Sequence, residues 1–175
     1  MPAVFVSDVH LLETANPKDS AFLRWLESLS DVTLYILGDL FDLWWSFEDY
    51  VPIGYRAVCQ CLRDKVQQGM SIYFVGGNRD FSSRYLLSLG IQPLSCGIYS
   101  IEGRSIYLAH GDEADRSTGY RLVKTVLRSR SFAQAMSWLG PEKGYRLLRY
   151  LKSGSAEVRL GGTKLLNYQK DWIRQ

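Results

Sequence analysis

Val32-Thr33-Leu34-Tyr35-Ile36-Leu37-Gly38-Asp39-Leu40-Phe41-Asp42 is an apolar run that stops at a glycine and is followed by two carboxylates. The spacing predicts a strand over Val32–Leu37, closed by Gly38. Working outward, Ala3–Ser7 predicts a buried strand and Ser71–Val75 another, closed by Gly76-Gly77. Gly97–Glu102 and Ser105–Ala109, joined across Gly103-Arg104, predict a hairpin. Amphipathic stretches lie between the runs. Ser20–Leu29 places Phe22, Leu23, Trp25, Leu26 and Leu29 at helical spacing. Ile53–Gln68 predicts a helix stopped by Gly69, and Phe81–Leu89 a short one ending at Gly90. This alternation implies an α/β fold built largely on a parallel sheet.

After Ala109 no β-branched run recurs. Tyr120–Arg128, Phe132–Leu139, Lys143–Leu151 and Leu165–Ile173 predict helices, broken at Gly140-Pro141 and Gly161-Gly162. The charge changes as well. Residues 1–115 hold 8 Lys/Arg against 15 Asp/Glu, a net of −7; residues 116–175 hold 13 against 3, a net of +10. An acidic part can hold cations, and a basic part can attract phosphate, anionic lipid or nucleic acid. The expected organisation is a core over 1–115 and a basic helical insertion over 116–175. A basic, solvated helical face is the plainer account of the second part.

The 175 residues suffice for one domain with a substantial core. No apolar run reaches the roughly 18 residues a membrane span needs. Met1-Pro2-Ala3-Val4-Phe5-Val6-Ser7-Asp8 has no basic region and no cleavable apolar stretch, so it is not read as a signal peptide. Cys59, Cys61 and Cys96 fit no zinc or thioredoxin spacing and are expected as buried thiols in a reducing cytosol.

Four strands end in polar residues of one kind: Asp8-Val9-His10, Gly38-Asp39-Leu40-Phe41-Asp42, Gly76-Gly77-Asn78-Arg79-Asp80 and His110-Gly111-Asp112. Sites in open α/β sheets lie beyond the carboxyl ends of the strands, so these residues should converge. Carboxylate, imidazole and amide oxygen suit Mn, Fe, Zn or similar ions, and no sulfur is called for. One carboxylate can bridge two ions through its two oxygens. Each element alone has a plainer reading: a turn, a helix cap, or a histidine satisfying one hydrogen bond. Four of them, in order and each at a strand end, favour a shared site.

These residues resemble the calcineurin-like metallophosphoesterases, whose pattern is Asp-x-His, Gly-Asp-x-x-Asp, Gly-Asn-His-Asp/Glu, a His, then Gly-His-x-His. Within that family, Tyr35–Asp42, Gly77-Asn78-Arg79-Asp80-Phe81 and His110-Gly111-Asp112, with Asp115 and Tyr120 beyond, are similar to the UDP-2,3-diacylglucosamine pyrophosphatases of lipid A synthesis. In those enzymes Arg follows the Asn, as Arg79 does here. The resemblance implies an α-β-β-α sandwich carrying a helical insertion that acts as a lid. It implies two divalent metal ions, taken as Mn²⁺. Asp8, His10 and Asp39 would hold one; Asp39, Asn78 and His110 would hold the other. Arg79, with Asn78, would contact substrate, and Asp115 and Lys164 are further expected contacts. Asp39, Asn78, Arg79 and His110 are the expected catalytic group. The Gly-His-x-His element does not occur in these residues, and His10 and His110 are the only histidines. The chain is therefore expected to lack the family's C-terminal strands, with each ion one ligand short and activity impaired.

Two ions about 3.5–4 Å apart can activate a water and clamp phosphoryl oxygens for in-line attack. Arg79 can add a bidentate contact but, unlike histidine, cannot protonate a leaving group. UMP leaves as a stabilised phosphate and needs little protonation. The expected reaction is cleavage of the pyrophosphate bond of UDP-2,3-diacylglucosamine to UMP and 2,3-diacylglucosamine 1-phosphate. The expected partners are this nucleotide lipid and an anionic membrane surface, on the cytoplasmic face of the inner membrane, with no nucleic acid. The alternatives are another phosphoesterase, such as a nuclease or a phosphatase, or a non-catalytic remnant whose basic helices bind a membrane or a partner.

Overall fold

A computed structural model describes residues 1–14, 16–47, 50–80, 84–112, 125–127 and 129–160. The elements in order are β1 (Ala3–Val6), α1 (Pro17–Ser28), β2 (Thr33–Leu37), α2 (Ile53–Gln67), β3 (Ile72–Val75), α3 (Arg84–Ser88), β4 (Gln92–Leu94), β5 (Gly97–Ile101), β6 (Arg104–Leu108) and α4 (Arg130–Leu160). β1, β2, β3 and β4 form a parallel sheet in that order. β5 and β6 pair antiparallel in a separate two-stranded sheet. The α/β expectation holds. One detail differs from it: β4 is an added strand; the strand that leads to His110 belongs to the hairpin, as expected.

Alternation along the strands gives the sheet two unlike faces. Leu34, Ile36, Ile72 and Phe74 point to one side and are buried with Leu26 of α1, Val58, Cys59 and Leu62 of α2 and Leu86 of α3. Each such aliphatic side chain taken fully out of water contributes about 1.5–3 kcal/mol before entropy is counted. On the other side Phe5, Tyr35 and Tyr73 sit side by side in register and stack at 5.0 and 5.1 Å between centroids.

Local chemistry sets the helix ends. α1 starts at Pro17, earlier than Ser20, because Asn16 caps it: its side chain accepts Asp19 N–H at 3.2 Å, and proline takes the first helical position. Lys65 on α2 donates to the carbonyls of Glu27 and Leu29 at 2.7 and 2.5 Å, satisfying the end of α1. Of the three cysteines, only Cys59 is buried; Cys61 is half-buried and Cys96 exposed. The expectation of three buried thiols is thereby corrected. Cys59 lies on the core face of α2, Cys61 is two residues further round the helix, and Cys96 precedes β5.

α4 is two helical segments meeting at Gly140, whose φ of 71° and ψ of 174° are non-helical, with Pro141 following. Ser129 caps it, its hydroxyl accepting Phe132 N–H at 3.2 Å. The break falls where Gly140-Pro141 predicts it. The expected helix over 165–173 and the break at Gly161-Gly162 lie outside the described residues.

The basic segment is more than an appendage. Met136, Tyr145 and Leu148 of α4 share a second buried cluster with Leu43, Trp45 and Phe47, from the loop after β2. The Tyr145 hydroxyl donates to the Trp45 carbonyl at 3.2 Å and accepts its N–H at 3.4 Å. Gly144 permits this contact: a Cβ there would stand 2.5 Å from Phe47 Cζ and 3.0 Å from Met136 Cε. The loop that carries Asp39 and Asp42 is therefore packed against α4 a few residues further on.

Candidate metal centre

The loops that leave β1 and β2 stay paired after the strands end. Asp8 N–H donates to the Gly38 carbonyl at 3.2 Å, His10 N–H to Asp39 at 3.0 Å and Leu11 N–H to Leu40 at 3.0 Å. Asp42 N–H returns to Leu11 at 2.8 Å. Keeping this pairing while turning forces Asp8, His10 and Asp39 to φ of 53°, 52° and 51°. Left-handed backbone is uncommon outside glycine, though Asp and His tolerate it better than most, and such strain gathers at functional sites. Here it aims three side chains toward one place.

The loop after β3 closes on the same point. Arg79 N–H donates to Asp39 Oδ1 at 2.9 Å, and Trp44 N–H donates to the Arg79 carbonyl at 3.0 Å. Asp80 is the fastener: its Oδ2 accepts Asp39 N–H at 2.7 Å and Gly77 N–H at 3.2 Å. Gly77 must be glycine, because a Cβ there would run into Asp39 Oδ1 and its backbone nitrogen. Burial, then the nearby Asp39 charge, pushes the Asp80 carboxyl up to about 7.

His110 arrives from the end of β6. Its Nδ1 lies 2.9 Å from the Leu37 carbonyl, which can only accept, so Nδ1 carries a hydrogen and Nε2 faces the site. Nε2 stands 3.5 Å from Asp39 Oδ1. On the other side His10 Nε2 stands 3.9 Å from Asp39 Oδ2 and 3.8 Å from Asp8 Oδ1. The buried Asp39 carboxylate thus presents one oxygen to each histidine. Burial alone would raise its pKa, but the hydrogen bond from His110, the N–H of Arg79 and the two imidazoles hold it below the usual value. The bond to Asp39 in turn lifts His110 to about 9, against the effect of burial.

The donor set fits a divalent cation. Asp8, Asp39 and His110 each offer a ligand atom, and the three atoms lie within 4.8 Å of one another. They are two carboxylates and an imidazole held by a backbone carbonyl, the usual outer support of a ligating histidine. His10 adds a second imidazole on the far oxygen of Asp39. Asn78 is half-buried in the loop between Gly77 and Arg79, both of which touch Asp39. Asp115 and Lys164 lie outside the described residues, as does Tyr120.

Three participants escape sequence reading as site residues. Asp80 does its work through backbone N–H groups. Asp42 Oδ1 lies 3.4 Å from Arg79 Nη1 and 4.0 Å from His10 Nδ1, a buried nitrogen without a hydrogen bond. Lys152 on α4 pairs with Asp42 Oδ2. Asp42 and Asp80 both stand inside the strand-end motifs, and that position is the only signal that could have pointed to them. Lys152 carries none.

Comparison with known proteins agrees with this geometry. Residues 1–160 match the family model described as calcineurin-like phosphoesterase. A UDP-2,3-diacylglucosamine hydrolase of Photorhabdus laumondii is 38% identical over 117 residues, 64% of this chain and 48% of the relative. The protein of the same name from Yersinia pseudotuberculosis serotype O:1b is 29% identical over 167 residues, 92% of this chain and 69% of the relative. The chain thus spans about half the length of the first relative and 69% of the second. Strand-end carboxylates and histidines gathered on one shared aspartate, together with a family match over nearly the whole sequence, place this chain in the calcineurin-like phosphoesterase family.

Proposed function

We propose that the protein hydrolyses the pyrophosphate bond of UDP-2,3-diacylglucosamine, giving UMP and 2,3-diacylglucosamine 1-phosphate. The observation that carries the phosphoesterase part is Asp39, whose two oxygens face His10 and His110 separately. Asp8, His10 and Asp39 would hold one divalent ion and Asp39, Asn78 and His110 the other, both taken as Mn²⁺. When bound, such a pair supplies an activated water and offsets charge on the phosphoryl oxygens.

The chain's own groups do the rest. Asp39 serves both sides, and Asp80 and the Leu37 carbonyl keep Asp39 and His110 aimed. Arg79 lies beside the shared carboxylate, its Nε 3.7 Å from Asp39 Oδ2, and can meet a phosphate with two parallel donors. It stays charged and cannot act as an acid, which suits a phosphate leaving group and not an alkoxide. The names of the two relatives support the nucleotide lipid as substrate.

The surface of α4 supports contact with an anionic membrane. Trp138 is 92% exposed and Tyr150 73%, with Leu139 and Leu151 partly exposed on a helix that also carries Arg146 and Arg149. No helix among the described residues is long and apolar enough to cross a membrane. We place the protein peripherally, on the cytoplasmic face of the inner membrane. The test is competitive: with Mn²⁺ present, the protein is offered the nucleotide lipid, single-stranded DNA and a simple phosphomonoester. Preference for the lipid supports the reading; preference for either of the others ends it.

A further inference from the structure

Asp42 stands where three positively charged or imidazole groups meet. Its Oδ1 faces Arg79 Nη1 at 3.4 Å and His10 Nδ1 at 4.0 Å, and its Oδ2 is taken by Lys152. Cations occupy both oxygens, so Asp42 holds side chains and not an ion. The residue joins parts of the chain that are far apart: Arg79 follows β3, and Lys152 lies on α4, 110 positions beyond Asp42. Its backbone is fixed by the N–H bond to Leu11. Glu13 stands near the same place, feeling the charges of Arg149 and Lys152 from α4 and of Asp42 itself. An isolated ion pair on a surface contributes little. A half-buried carboxylate with two separate cations is a small network, in which losing the anion weakens the hold on both cations at once.

We propose that Asp42 is a positioning residue that couples two parts of the site: one oxygen aims the Arg79 guanidinium, and the other, through Lys152, docks α4 beside it. Arg79 can meet a phosphoryl group only if its guanidinium is held facing the shared carboxylate Asp39. α4 can cover the remainder of a long substrate only while it stays against the loop of Asp42. One carboxylate serving both tasks links the aim of Arg79 to the docking of the helix.

The kinetic part of this proposal rests on the phosphoesterase reading; the docking part does not. The experiment therefore has two readouts, on the Mn²⁺-loaded full chain. The first is turnover of the nucleotide lipid. Lys152→Met cuts one arm only, and KM should rise about fivefold while kcat stays within about twofold. Asp42→Asn removes the charge that both arms use, and kcat should also fall about tenfold. The double variant should have a KM no higher than Asp42→Asn alone, and Lys152→Arg should return KM to within about twofold of the wild type. A loss of folded protein would lower apparent kcat and leave KM unmoved. The second readout is hydrogen exchange of the backbone amides of residues 145–152. Asp42→Asn and Lys152→Met should speed it equally, and the double variant no further. Additive effects in the double variant, or exchange in Lys152→Met equal to that of the wild type, would overturn the joint. Coupled exchange in a protein that does not cleave the lipid would support the joint and count against the substrate.

Discussion

The Asp80 carboxylate accepts the backbone N–H of Asp39 at 2.7 Å, through the same oxygen that takes Gly77 N–H at 3.2 Å. This ties the loop after β2 to the loop after β3 and holds Asp39 in its left-handed turn. The carboxylate that meets both histidines is thus kept in place by the side chain of Asp80.

Removing that acceptor should be costly. Asp80→Ala leaves two buried N–H groups unpaired, and each unsatisfied donor costs about 1–3 kcal/mol. A urea titration should show the ion-free protein destabilised by about 2–4 kcal/mol in total. Asp80→Asn keeps an accepting oxygen and should lose much less. Equal losses in the two variants would show that the N–H bonds are not what Asp80 supplies.

α4 should be held by Tyr145 and by the absence of a side chain at 144. Tyr145→Phe removes the bond to the Trp45 carbonyl and should cost about 1–2 kcal/mol. Gly144→Ala drives a methyl into Phe47 and Met136, and overpacking of this kind costs about 1–3 kcal/mol. Both should shift the fluorescence of the buried Trp45 and raise protease sensitivity within 130–152. An unchanged urea midpoint in Gly144→Ala would mean that the helix can move away from Phe47 freely.

Much of the site is readable along the chain because each ligand-type residue follows a strand-forming run, although β1, expected to be buried, is only half-buried. Asp8, His10, Asp39 and His110 stand two to four residues past the end of a strand, and strand ends are where such a run delivers its next side chains. β4 is not readable. Gln92-Pro93-Leu94 is short, contains proline and has no apolar alternation, and it is a strand only because β3 offers it a partner. The pairing of Asp42 with Lys152 is equally silent, since 110 residues separate them and nothing local marks Lys152. The start of α1 was available in principle: Asn16-Pro17 with Asp19 behind it is a cap, whereas helical spacing of apolar residues begins later.

Cys59 should behave as part of the core. Burial pushes its thiol up to about 12, far from the thiolate needed for reaction. At pH 8 a maleimide should label the exposed Cys96 first and reach Cys59 only after unfolding. Because the folded value lies above the unfolded one, this thiol's contribution to stability is complete below about pH 9 and is lost as pH rises toward 12. Labelling of Cys59 as fast as Cys96 in the native protein would contradict its burial.

The two histidines should govern separate ions. His10 meets one oxygen of Asp39 and His110 the other, so His10→Ala and His110→Ala should each weaken one site and spare its neighbour. Losing one imidazole ligand should reduce affinity for that ion by at least tenfold, about 1.4 kcal/mol. Calorimetric titration with Mn²⁺ should then show one retained class of site in each variant. Loss of both classes in either variant would point to a single shared ion.

The most direct test concerns Asp39 itself. Mn²⁺ bound per chain, and the magnetic coupling between bound ions, can be read together by electron paramagnetic resonance during a titration. The wild type should take up two ions and develop the exchange-coupled signal of a pair bridged by one carboxylate. Asp39→Ala should lose that signal and bind at most one ion, weakly. Two ions bound by Asp39→Ala with wild-type affinity would contradict the account.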